Sequence, residues 1–130
     1  MDTEQKIDKS EQRLDRIAIA LQKWVEGFEA EKVQFLHRLN DNPTAALERS
    51  TSLMFLSTRA DVAKRLLASI AVRRQDTTAK NIIAAITETY QREALDAARF
   101  PRRSTNPVSD YIAVERGRTA VEVCDLVQSA

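Results

Sequence analysis

Residues 7–39 read IDKSEQRLDRIAIALQKWVEGFEAEKVQFLHRL, and this stretch decides the fold. Ile7, Leu14, Leu21, Phe28 and Phe35 follow one another at seven-residue intervals, so they share one line along a helix. Ile17 and Trp24 fall three residues after two of these anchors, and Ala18, Val25 and Leu39 fall four after others. The resulting stripe is wide enough to face more than one neighbouring helix. Gly27 interrupts the helix-forming run but not the seven-residue phase, which passes from Leu21 to Phe28 unchanged. The pattern predicts one continuous helix over residues 3–39, roughly 55 Å long at the standard rise. A compact globule of this chain length is only about 30 Å across, so the molecule is expected to be elongated.

Outside this helix the composition points the same way. The chain has 130 residues, two glycines and three prolines, which leaves little material for bulges, tight hairpins or glycine-rich phosphate loops. The expected fold is all-α: one domain, an elongated antiparallel helical bundle of three long helices plus a C-terminal one, with coiled-coil-like packing.

Asn40-Asp41-Asn42-Pro43 closes the first helix and opens a second over residues 43–74, with Asn42 as cap and Pro43 in the first turn. Its apolar seam is Ala46, Leu53, Leu56, Ala60, Ala63, Leu67 and Ile70, widened by Leu47, Met54 and Leu66. Ser50-Thr51-Ser52 is its weakest stretch. A short connection predicts that it runs antiparallel to the first helix. Asp76, Thr77 or Thr78 caps a third helix over 77–99, with Ala79, Ile82, Ile83, Ile86, Tyr90, Ala94 and Ala97 inward. Glu88, Arg92 and Asp96 are spaced as an exposed ion-pair ladder on its other side. Phe100-Pro101 ends that helix and a polar loop follows to Pro107.

Residues 109–128 admit two readings. A helix would face inward with Ala113, Gly117, Ala120, Cys124 and Val127; a hairpin would turn at Arg116-Gly117. Helix is preferred, because that dipeptide is a poor tight turn and no other strand exists to complete a sheet.

The inventory for catalysis is thin. His37 is the single histidine and Cys124 the single cysteine. Gln34 stands where a di-metal helical bundle wants glutamate, three residues before its histidine. Cys124 falls on an alanine-rich face and is expected to be a small core residue. Phosphate-loop, dinucleotide and nucleophile-elbow motifs are missing. No enzyme activity, cofactor or metal is expected. The longest apolar run, Leu53 to Leu56, is too short to cross a membrane, and the opening Met-Asp-Thr-Glu-Gln-Lys does not resemble a signal peptide. A reducing, cytoplasmic setting fits the lone cysteine.

Two functional expectations follow. The first is a protein-interaction or oligomerisation module, acting as adaptor, scaffold or regulatory subunit, as a homodimer or with a protein partner. Its candidate interface is Ile7, Leu14, Leu21, Trp24, Phe28 and Phe35, with Ile19 and Val33 on the opposite side of the same helix. The second is a nucleic-acid-binding accessory protein. Residues 59–74 hold five bases (Arg59, Lys64, Arg65, Arg73, Arg74) against the single acid Asp61, and Arg99, Arg102 and Arg103 form a second cluster. A helix-turn-helix is not read there, because Leu67 occupies the position where such a turn wants glycine. The formal charge of +1 and the helix-dipole role of cations at helix ends favour the first expectation.

Overall fold

The computed structural model describes the backbone of residues 2–99 and 107–130, and the side chains of residues 9–99 and 111–130. Among the described residues there are five helices and no strand: α1 Asp2–Asp41, α2 Pro43–Glu48, α3 Ser50–Arg73, α4 Ala79–Arg99 and α5 Pro107–Ser129. The C-terminal segment is therefore helix, and the hairpin reading is set aside. The stop at Phe100-Pro101 and the loop after it lie outside the described residues, as does the side chain of Ile7.

α1 runs through Gly27 without a break, and its 40 residues extend about 60 Å. Gly27 is exposed, with open space where a Cβ would stand. Asn42 then caps α2 by accepting the Ala45 amide at 3.3 Å, with Pro43 in the first turn.

The single helix expected over 43–74 is two helices. The chain leaves regular α-hydrogen bonding at Arg49, whose amide donates to Ala46 three residues back at 3.0 Å. Ser50 Oγ donates to the Leu47 carbonyl at 2.7 Å, so the side chain satisfies an acceptor at the helix end. This serine-rich stretch has too little intrinsic preference to hold the helix straight, and the junction lets α2 keep Ala46 buried against α1.

α4 begins where Thr78 Oγ1 accepts the Asn81 amide at 3.3 Å, which makes Thr78 the cap among the three candidates. Glu88 and Arg92 pair at 3.0 Å as their spacing implies.

α1 packs along α3, and α4 along α5; α1 also touches α4, and α3 touches α5. Asp15 meets Arg74 and Glu29 meets Lys64, so α1 and α3 run in opposite directions. Thr51 meets Tyr111 and Arg59 meets Glu122, so α3 and α5 run the same way. The core sits toward one end. Leu14, Ile17 and Leu21 of α1 meet Ala63, Leu66 and Ile70 of α3 there. Ile82, Ile83 and Ile86 of α4, with Val123 and Val127 of α5, complete it. Full burial of each such aliphatic side chain contributes about 1.5–3 kcal/mol.

The inward face of α5 differs from the expected one. Glu115, Thr119, Val123 and Val127, four residues apart, are buried together with Ala120, whereas Ala113, Gly117 and Cys124 are half-buried. Thr119 can sit inside because its hydroxyl donates to the Glu115 carbonyl at 2.8 Å. Gly117 faces α4: a Cβ built on it would lie 2.7 Å from that of Ala97.

Candidate functional site

Beyond the aliphatic core the interior turns polar and aromatic. Arg59 of α3 pairs with Glu122 of α5 at 3.3 Å and lies over the Trp24 ring of α1 at 4.8 Å and the Phe55 ring at 5.7 Å. Arg118 stacks on Phe55 at 4.0 Å, and the Tyr111 hydroxyl donates to the Thr51 carbonyl at 3.0 Å. Arg59 Nε and Glu115 Oε2 are buried without a hydrogen-bond partner among the described residues. Guanidinium faces suit this layer because they stack on rings while their edges bind carboxylates. The layer ties α1, α3 and α5 together where aliphatic contacts thin out. Sequence reading placed Arg59 among exposed bases and missed Glu115, Arg118 and Glu122. The four-residue spacing of Glu115 and Thr119 with Val123 was the available sign, but a carboxylate at such a position reads as surface. Arg59→Ala is expected to lower unfolding free energy by about 1–2 kcal/mol, from a part-exposed ion pair plus lost stacking. Lys64→Ala is expected to cost under about 1 kcal/mol. Urea unfolding of both variants checks the contrast.

The other bases do not converge. Lys64 lies 3.9 Å from Glu29, and Arg74 binds Asp15. Arg65 is exposed within electrostatic reach of Tyr90, and Arg73 ends α3 in solvent. Arg99 closes α4, whose 21 residues set it about 30 Å from the end of α3. Arg102 and Arg103 lie outside the described residues. Acids of α1 thus stand beside two members of the basic run.

The structure divides the apolar candidates on α1 into three kinds. Leu14 and Leu21 are 0% exposed and belong to the chain's own core, so they offer no external face. Trp24, Phe28 and Phe35 are half-buried. Ile19 and Val33 are exposed, as is Leu36. Phe35 helps line a recess of about 130 Å³ with Leu53, Leu56, Arg38, Arg49, Ser52 and Glu31.

A further apolar surface, absent from the sequence reading, lies outside the α4–α5 pair. A groove is lined there by Gln91, Ala94 and Leu95 of α4 and by Val121, Cys124 and Asp125 of α5. Leu95, Val114 and Val121 are 53%, 65% and 49% exposed. The seven-residue step from Val114 to Val121 is visible in the sequence, but the small residues Gly117 and Cys124 on the neighbouring line carry the stronger packing signal.

Reactive groups stay apart. His37 is exposed near the end of α1, and Cys124 sits between α4 and α5. Burial pushes the Cys124 thiol up, and Asp125 adds to the shift, so the thiol form is favoured. Among the described residues no group of three or more potential metal ligands assembles, and no helix is long and apolar enough to cross a membrane. No family model, curated protein or solved structure matches the chain.

Proposed function

We propose that the chain is a non-enzymatic helical interaction or oligomerisation module, an antiparallel bundle with coiled-coil-like packing that acts as adaptor, scaffold or regulatory subunit in the cytoplasm. One observation carries this reading. Leu95, Val114 and Val121 remain on the outside of α4 and α5, beside a groove, although the core has taken its own complement of apolar side chains. Single exposed aliphatics are ordinary, but Leu95 and Val121 on one groove, with Val114 two turns away on the same line of α5, suit a docking face. Ile19 and Val33 give α1 a second, sparser face.

A nucleic-acid role for the basic clusters has less support. Arg59 is engaged with Glu122 and two rings, and Arg74 and Lys64 have acidic neighbours. Such pairing weakens the field that phosphate binding requires.

The test is affinity capture from an extract of the source cells, with the wild-type chain and Leu95→Glu as baits. Proteins, including the chain itself, that the wild type retains and Leu95→Glu loses support the proposal. Equal retention by both baits overturns this face. Salt-sensitive retention of nucleic acid without any protein would replace the reading with the basic-cluster one.

A further inference from the structure

We infer that the outer face of α5 is a two-fold self-association surface, on which α5 of a second copy lies antiparallel, with Val121 near the axis and Arg118 of each copy against Asp125 of the other. The inference rests on the reading of this side as an interaction face and names its occupant.

Val114 and Val121 are seven residues apart and share the solvent line of α5. Arg118 and Asp125 are also seven apart; both are exposed, one three residues before Val121 and the other four after it. They therefore occupy one flank of the apolar line, basic on one side of Val121 and acidic on the other. A two-fold axis through Val121 reverses that order in the second copy. Arg118 then comes level with the opposing Asp125 to within one residue's rise, about 1.5 Å, and the pair forms twice. Parallel pairing, with the axis along the helices, would instead carry the second copy's flank to the opposite side of the seam, where Arg118 of one copy does not meet Asp125 of the other. The charges are thus arranged for a copy of this same helix running the other way.

Three contacts within the chain fit this use. Arg118 is held on the Phe55 ring at 4.0 Å, which occupies the guanidinium face and leaves its edge donors for an incoming carboxylate. Glu122, the acid one turn further along this helix, is already bound to Arg59 at 3.3 Å. On α4, Leu95 supplies a second apolar wall and Ala94 a low one, so an incoming helix settles into a groove rather than on a single ridge.

Sedimentation equilibrium of the full chain over about 1–200 µM tests this, with circular dichroism confirming that each variant is folded. The wild type is expected at twice its 14.7 kDa mass, with a dissociation constant in the micromolar range. Asp125→Arg and Arg118→Asp should each weaken the dimer at least about tenfold, because each puts two like-charge pairs in the interface. Combining them should restore affinity to within about threefold of the wild type. Val121→Glu, at a position that supports no internal contact of the core, should abolish the dimer. Loss of Arg118 also removes its stacking on Phe55, so Asp125→Arg and Val121→Glu keep the test decisive if Arg118→Asp unfolds. A monomer at the highest concentration overturns the inference, as does a dimer insensitive to Asp125→Arg and Val121→Glu. Of these results, a monomer that still captures another protein through the Leu95 face removes the self-association alone and leaves the interaction-module reading standing.

Discussion

Leu21→Ala is expected to lower unfolding free energy by about 2–5 kcal/mol in urea titrations monitored by circular dichroism. Leu21 is 0% exposed and lies in the one cluster to which α1, α3, α4 and α5 all contribute. Its neighbours one turn away, Ile17 and Val25, sit on α1 itself and cannot swing in to fill the space. The remaining walls belong to separate helices, so collapse would require rigid elements to shift, and the upper part of the range is expected. Ile19→Ala is the control. It removes an aliphatic side chain only two residues away, but Ile19 is 58% exposed, and the loss should stay within about 0.5 kcal/mol. Comparable losses at the two positions would show that the inward face of α1 has been assigned to the wrong side.

Gly117→Ala should cost about 1–3 kcal/mol, although alanine is the better helix former by about 1 kcal/mol. Its Cβ would stand 2.7 Å from the Cβ of Ala97, and both atoms are fixed to helix backbone. Neither can rotate away, so α4 and α5 would have to part along their shared seam. Backbone freedom is not the reason for glycine here, because its φ is not positive. Gly27→Ala should do the opposite, adding up to about 1 kcal/mol, since nothing lies within 4 Å of the new methyl. The same substitution at the two glycines therefore carries opposite signs, and thermal melts of both variants measure it. Stabilisation by Gly117→Ala would mean that α4 and α5 are not in close contact at this level.

Much of the fold was legible because helix periodicity is a local property. The seven-residue line through Leu14 and Leu21 needed no knowledge of other helices to announce α1. The same holds for the cap at Asn42, for Pro43 and for the Glu88–Arg92 pair, each set by residues within one turn. The junction at Arg49 was half-legible. Ser50-Thr51-Ser52 marked a weak point, but whether a weak helix bends depends on what it gains by bending. Here the gain is the burial of Ala46 as α2 packs against α1, which depends on how the chain turns back after Asp41 and not on the serines themselves.

The candidate sites were less legible, for a related reason. Leu14 and Leu21 were offered as an interface because an apolar stripe looks the same whether its partner is another part of the chain or another molecule. Arg59 counted as a surface base until α5 brought Glu122 to it and α1 brought Trp24. On α5, small residues at Ala113, Gly117 and Cys124 suggested the inward face, while the structure buries Glu115 and Thr119. A buried carboxylate is costly, and only neighbours from other helices determine whether that cost is tolerated. The sequence by itself determined that the chain is helical over its first hundred residues, where most helix ends lie to within a few residues, and that α1 carries a continuous apolar stripe, because all of these follow from 3.6-residue periodicity and capping chemistry. Tertiary structure alone decided which apolar residues face inward, which bases are matched by acids, and which side of α4 and α5 is left open, because each depends on atoms that long-range packing brings together.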